Sequence, residues 1–206
     1  MTYGKFIVFE GIDGCGKATQ LKLAHAYLWN LNKEIDMLTT REPTRDFKEI
    51  REKMERGTDV KDDKEWYAKQ FISDRLNHCE SYIDPALGNG THVLCDRYKH
   101  STLTYQHTQG MDFKKLVDMH KYCPQILTPD LTLIYDCPAK IAFKRRQDEG
   151  AIDVFDKNLK FQEKLRKNYL KLPKKLSKEK IIIINATPSK ENVFKETKKH
   201  LDYLLT

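Results

Sequence analysis

The sequence predicts an α/β fold in which helices cover both faces of a parallel sheet. Five short runs rich in β-branched and aromatic residues alternate with longer stretches of helical periodicity, the βαβα rhythm of such a sheet. Each short run is also nearly continuous in apolar residues rather than alternating, as expected of a strand covered on both faces.

The elements follow in order. Lys5–Phe9 reads as the first strand and runs into a glycine-rich loop. A helical stretch at Lys17–Asn30 precedes a second strand at Ile35–Thr39, and a long helical pattern covers Lys64–Ala86. Gly88-Asn89-Gly90 is a turn before the third strand, His92–Cys95, and Thr128-Pro129-Asp130 leads into the fourth, Leu131–Tyr135. Helices are then predicted over Pro138–Glu149 and Lys157–Lys175, a fifth strand over Lys180–Ile184, and a closing helix over Lys190–Leu204. Lys157–Lys175 keeps Phe161, Leu165, Tyr169 and Leu172 at helical spacing, which marks an amphipathic helix rather than a disordered tail. There is no internal repeat and no low-complexity tract.

A length of 206 residues suits one domain spanning 1–206, with room for a mobile insertion. The net charge of +7 implies anionic partners, and much of the excess lies in Lys157 to Lys180, where only Glu163 and Glu179 oppose the basic residues. That stretch reads as a solvated helix face, with attraction of nucleotides as the alternative. The five cysteines form no CxxC pair, which disfavours a disulfide framework or a zinc site and fits a reducing compartment. No signal-peptide core precedes the first strand and no apolar run reaches membrane-spanning length, so a cytoplasmic protein without membrane partners is expected.

The strongest motif begins where the first strand ends. Gly11-Ile12-Asp13-Gly14-Cys15-Gly16-Lys17 has P-loop spacing between a strand and a helix. Glycines let backbone N–H groups turn inward around an anion, the helix adds its positive end, and Lys17 supplies a fixed charge. The next position, where Ser or Thr would touch a magnesium ion, is Ala18; Thr19 follows and offers its hydroxyl to a phosphate instead. The ion would then be held through water and carboxylates.

The third strand runs directly into Asp96-Arg97-Tyr98. An acid ending an apolar parallel strand stands where P-loop proteins orient magnesium, and Arg97 offers a planar fork for a phosphate. By itself the pair also describes a surface ion pair closing a strand. Arg41-Glu42-Pro43 closes the second strand at the same edge, with Arg51 one helix further on; either arginine suits an acceptor phosphate or a solvated surface. Phe71 and Arg75, four apart, share a helix face. The spacing fits a ring stacked on a base with an arginine on its carbonyl, and equally a packed ring beside a snorkelling charge.

These segments together resemble the thymidylate kinase family. The resemblance runs from Phe9-Glu10-Gly11 through Gln20, over Thr40-Arg41-Glu42-Pro43-Thr44 and Phe71-Ile72-Ser73-Asp74-Arg75, to Asp96 through Gln106, Pro129–Leu133 and Tyr169–Leu172. It implies a P-loop nucleoside monophosphate kinase-like fold with a five-stranded parallel sheet, a lid at about 145–156, and a homodimer. It also implies phosphorylation of thymidine monophosphate (dTMP) to the diphosphate by ATP with Mg2+. By position, Phe71 would stack on thymine, Arg75 would bond O4, and Arg97 would hold the acceptor phosphate near Arg41, Pro43 and Arg51. Ser101, Thr102 and Gln106 would adjoin the base, and Tyr105 would crowd the place of a ribose 2′-hydroxyl. Asp13 and Asp96 would serve the metal, through water.

Some family members carry an arginine in the P-loop and others supply it from the lid. Gly14 stands at the relevant position here, so the chain resembles the second group, with Arg145 or Arg146 as the catalytic arginine. Family lids commonly carry an Asp-Arg pair, whereas here Asp153 is followed by Val154. A helix end favoured by the dipole is the structural alternative for the two arginines.

The nearest alternative is a P-loop kinase acting on another nucleotide or on a deoxynucleoside, though Phe71, Arg75 and Tyr105 suit a pyrimidine deoxynucleotide. A GTPase would show Asn-Lys-x-Asp; the nearest run, Asn32-Lys33-Glu34-Ile35, lacks the acid. A nucleic-acid-binding protein would interleave basic and aromatic residues on one exposed face, while the Lys-rich stretch spaces its aromatics for burial.

Overall fold

Strand β1 (Phe6–Glu10) lies at the centre of the sheet, and the first helix, α1 (Lys17–Leu31), leaves the loop that follows it. The computed structural model describes residues 3–45, 47–55, 63–148, 150 and 159–205, with the side chains of residues 51, 54 and 55 outside that description. The predicted starts and ends at Glu149 and Lys157, the lid beyond Gly150 and the Arg51 side chain therefore lie outside the described residues.

After α1 come β2 (Met37–Arg41), α2 (Lys48–Glu55) and α3 (Lys64–His78), which continues through a π-helical turn (Cys79–Ile83) into α4 (Asp84–Gly88). Next are β3 (His92–Asp96), α5 (Lys99–Thr108), α6 (Phe113–Lys121), β4 (Leu131–Asp136) and α7 (Ala139–Asp148). The chain closes with α8 (Leu159–Leu170), α9 (Leu172–Lys175), β5 (Ile181–Asn185) and α10 (Lys190–Leu205). All strand pairs are parallel, in the order β2-β3-β1-β4-β5.

The strand period of two divides the core. Ile7, Phe9 and Leu94 join one apolar cluster with α1, α8 and α10, whereas Phe6, Val8, Val93 and Cys95 join the other with α3, the π-turn and Tyr98. The three inner strands are covered on both faces, as their composition requires. The two outer strands correct the sequence expectation: β2 is half exposed and starts two residues later than predicted, and β5 leaves Ile183 at 41% exposure. Edge strands lack a neighbour, so apolar continuity alone overstates their burial.

The long predicted helix over Lys64–Ala86 is likewise corrected. The Asp84 N–H reaches back five residues to the Cys79 carbonyl, and Pro85 has no N–H to continue the ladder. The widened turn buries both Cys79 and Ile83. Helices α5 and α6 stand where no helix was predicted. The β-branched residues of α5 weaken its signal, and their hydroxyls bond back along the helix, Thr104 to the His100 carbonyl at 2.8 Å and Thr108 to the Thr104 carbonyl at 2.7 Å. Helix α6 is capped by Asp112, whose carboxylate accepts from the Lys115 N–H at 2.8 Å. No helix among the described residues is long and apolar enough to cross a membrane.

Glu179 ties the start of α5 to the approach of β5. It accepts from Lys99 Nζ and pairs with His100 Nε2, each at 3.0 Å. Burial alone would raise its carboxyl, but the hydrogen bond and charge of His100 and the charge of Lys99 outweigh burial and bring it from 4.5 down to about 2. A carboxyl lowered on folding stabilises the fold above its unfolded value and loses that contribution as pH falls through the folded one. Stability should therefore decline between pH 4.5 and about 2, and Glu179→Gln should make that decline shallower. Urea unfolding midpoints across this range test the assignment; equal acid slopes in both proteins would remove it.

Candidate active site

The loop after β1 folds as its glycines require. Gly11, Gly14 and Gly16 all have positive φ, +140°, +79° and +96°. At Gly14 the reason is also steric, because a Cβ there would collide with the Ala142 carbonyl of α7 and meet Arg146 Cγ at 3.0 Å. Helix α7 is thus packed directly on the loop, and no side chain fits at position 14. Lys17 is buried at the base of the loop, while Ala18 and Thr19 lie exposed along its outer wall.

Two cavities open at this end of the sheet, as expected at the carboxyl ends of parallel strands. The larger, about 800 Å³, runs along residues 13–20 and is bordered by Arg41, Asp96, Arg145, Arg146 and the start of α10. The smaller, about 260 Å³, is bordered by Tyr67, Phe71, Arg75, Thr102, Tyr105 and Gln106. Asp13, Glu42, Pro43 and Arg97 border both, so the cavities meet at that junction.

Asp13 and Arg97 form the junction itself. Arg97 Nη2 donates to Asp13 Oδ1 at 2.5 Å, Tyr105 OH donates to Oδ2 at 3.1 Å, and Lys17 Nζ reaches Oδ1 at 3.3 Å. Burial would raise the Asp13 carboxyl, but Arg97 and then Lys17 hold it far below the usual carboxylate range. Arg97 adopts a left-handed backbone, φ +69°, a conformation costing roughly 1–2 kcal/mol for a residue with a Cβ. Its side chain offsets that strain through Asp13, through Ser101 Oγ at 3.0 Å, and through Tyr169 and Tyr105 at 3.4 and 3.3 Å. Asp96 and Arg97 both border the cavity, and Arg97 pairs with Asp13 rather than with Asp96 among the described residues. Asp96 Oδ1 is buried there with no partner among the described residues.

Arg145 and Arg146 behave differently. The Arg145 guanidinium donates to the carbonyls of Cys15 (3.4 Å), Ala186 (3.0 Å) and Thr187 (3.1 Å), tying the glycine-rich loop to the loop before α10. Arg146 lies over Gly14, and its charge is felt by Asp13.

In the smaller cavity Phe71 is near-parallel to Tyr67, with centroids 6.1 Å apart. Arg75 is 2% exposed, which overturns the snorkelling alternative. Its Nε donates to Glu42 Oε2 at 2.8 Å, and the guanidinium lies over the Tyr98 ring at 5.1 Å. Gln106 Oε1 and Tyr67 OH are buried without partners among the described residues, capacity that a bound ligand can use. Arg41 is exposed beside the larger cavity. Among the described residues no cluster of three or more His, Cys, Asp or Glu is arranged to hold a metal.

Sequence reasoning missed the residues that position these groups. Glu10 is fully buried and accepts from the N–H groups of Tyr98 (2.8 Å) and Ser101 (3.0 Å), from Ser101 Oγ (2.8 Å) and from Tyr169 OH (2.9 Å). The signal was available, since Glu10 ends an apolar strand just as Asp96 does. Glu42 was legible only as a member of Arg41-Glu42-Pro43. His120, on α6, had no local signal at all.

Comparison with known proteins places these features in a family context. The family model described as Thymidylate kinase matches residues 9–197. A probable thymidylate kinase of Pyrococcus abyssi is 37% identical over 198 residues, covering 94% of this chain and 93% of the relative. A thymidylate kinase of Syntrophus aciditrophicus is 36% identical, covering 97% and 94% respectively. One from Sulfurihydrogenibium sp. is 34% identical, covering 89% and 90%.

Removing the charge of Glu10 leaves four donors sharing a weaker acceptor. Glu10→Gln should therefore destabilise the fold by about 1–3 kcal/mol. Equilibrium urea denaturation measures this, and an unchanged midpoint would show that Glu10 does not organise α5 and α8.

Proposed function

On the premise that the chain belongs to the thymidylate kinase family, we infer that it transfers the terminal phosphoryl group of ATP to thymidine monophosphate, and that the two cavities are its donor and acceptor sites. The observation that carries this division is the meeting of the cavities at Asp13 and Arg97. In-line transfer needs the two phosphates held end to end amid positive charge, and little else from the protein.

In this reading the loop from Gly11 to Thr19 holds the ATP phosphates, with Lys17 as the fixed cation. Arg97 and Arg41 hold the acceptor phosphate, and the resemblance assigns Arg51, whose side chain lies outside the described residues, to the same group. The base lies against Phe71 with Arg75 at O4, beside Ser101, Thr102 and Gln106, while Pro43 closes the wall. Tyr105, bonded to Asp13, occupies the side where a 2′-hydroxyl would stand. Asp13 orients Lys17 and Arg97 toward each other.

Arg146 is the better candidate for the lid arginine, because it lies over Gly14 with its charge acting on Asp13, whereas the Arg145 guanidinium points to backbone carbonyls. Helix α7, closely packed on Gly14, supports an arginine delivered from α7 in place of one in the loop. The unpartnered Asp96 Oδ1 beside Lys17's cavity suits Mg2+ held through water, with Asp13 nearby; no hydroxyl stands at Ala18. Bound there, the ion would neutralise charge on the phosphate oxygens. A single domain with a lid at about 145–156, working as a cytoplasmic homodimer, completes the proposal and rests on the resemblance.

A coupled assay across nucleoside monophosphates tests the substrate, and strong preference for a purine would sink it. Phe71→Ala should weaken thymidine monophosphate binding by roughly 1–3 kcal/mol, on the scale of base–aromatic stacking. Lys17→Ala should lower turnover far more than acceptor affinity. Arg146→Ala should lower kcat by roughly 10³-fold, as arginine fingers do, with Arg145→Ala acting mainly on ATP affinity; the reverse pattern would exchange their roles.

A further inference from the structure

Arg75 borders the smaller cavity with most of its donors already committed. A guanidinium carries five N–H donors in a fixed plane. Nε donates to Glu42 Oε2 at 2.8 Å, Nη2 is ion-paired with the same oxygen at 2.6 Å, and Nη2 donates to Thr102 Oγ1 at 3.2 Å. One Nη1 donor goes to His120 Nε2 at 3.0 Å. The second Nη1 N–H meets no acceptor among the described residues, while the second Nη2 N–H lies in the ion pair with Glu42.

The chemistry of His120 makes this division definite. Its Nδ1 lies 2.8 Å from the Leu116 carbonyl, which can only accept, so Nδ1 carries the proton and Nε2 is the acceptor. Burial first, and the Arg75 charge second, bring the imidazole down to about 3, which keeps it neutral and able to accept. His120 is buried on α6 and borders neither of the two cavities, so whatever it does to a ligand it does through Arg75. Glu42 fixes one edge of the guanidinium, Tyr98 lies under its face, and His120 fixes the remaining in-plane rotation.

We propose that His120 is a positioning residue for base selection: by taking one Nη1 N–H of Arg75, it presents the other to the cavity as an open donor, matched to the 4-oxo group of a pyrimidine and mismatched to a 4-amino group. The proposal rests on the reading in which Arg75 meets the base at O4. A 4-amino base would set N–H against N–H and leave both unpaired in a buried site, which is how a hydrogen-bonding pocket rejects a near-isostere.

Steady-state kinetics with thymidine and deoxycytidine monophosphates test it in three variants. His120→Leu removes the acceptor while filling the space, and His120→Gln returns an amide oxygen near the Nε2 position. His120→Leu should raise KM for thymidine monophosphate roughly tenfold and cut its preference over deoxycytidine monophosphate by a similar factor, with a smaller change in kcat and none in KM for ATP. His120→Gln should return both values toward those of the unmodified protein. Unchanged KM and preference in His120→Leu overturn the proposal, as does a glutamine variant impaired as much as the leucine one. Should the leucine variant fail to fold, His120→Asn, whose oxygen falls a methylene short of Arg75, takes its place; equal kinetics for Asn and Gln would overturn the idea. Arg75→Met separates the two levels of inference. Lost preference there with none lost in His120→Leu removes only the His120 role, whereas retained preference in Arg75→Met removes the base-reading assignment and the proposal with it.

Discussion

Glu10 is a fully buried carboxylate at the end of the central strand, and its two oxygens accept four hydrogen bonds from segments distant in sequence. A buried carboxylate without donors is costly, so the fold must bring the start of α5 and the end of α8 to this point. Ser101 and Tyr169, once held there, become the two hydroxyls that receive Arg97 Nη1. Arg97 in turn meets Asp13, and Asp13 meets Lys17. The strained backbone of Arg97 persists because this chain of bonds over-determines it.

A second constraint is steric. Gly14 lets α7 pack against the glycine-rich loop, and the same contact forbids any side chain at that position. Two arginines stand on the helix that does the packing, and their neighbours differ. Arg145 joins the loop to the segment before α10 through backbone carbonyls, while Arg146 lies over Gly14 near the junction.

The smaller cavity follows the same principle with different chemistry. Its floor is a buried polar network in which Glu42 bridges Arg75 and His78, His78 adjoins Thr40, and His120 adjoins Arg75. Buried charges are tolerated because each is paired, and pairing also spends donors and acceptors until few remain for a ligand. The groups still open in this wall, Gln106 Oε1 and Tyr67 OH beside Arg75, define what the cavity can recognise.

Local sequence determined the elements whose causes are local. The P-loop spacing, the apolar inner strands and the period-two division of the core follow from residues within a few positions of one another, and all appear in the structure. The family motifs likewise marked Asp13, Lys17, Phe71, Arg75, Arg97 and Tyr105, which the fold gathers around two adjoining cavities. Edge strands, the π-turn at Cys79–Ile83 and helix α5 were misjudged or missed because a neighbour's presence, a shifted hydrogen bond or back-bonded threonines decide them. Only the tertiary structure decided which polar residues are partners: Glu10 with Tyr169 across 159 positions, Arg75 with His120 across 45. Side-chain pairing across a sheet depends on distance in space, and sequence spacing beyond one helical turn does not encode that distance.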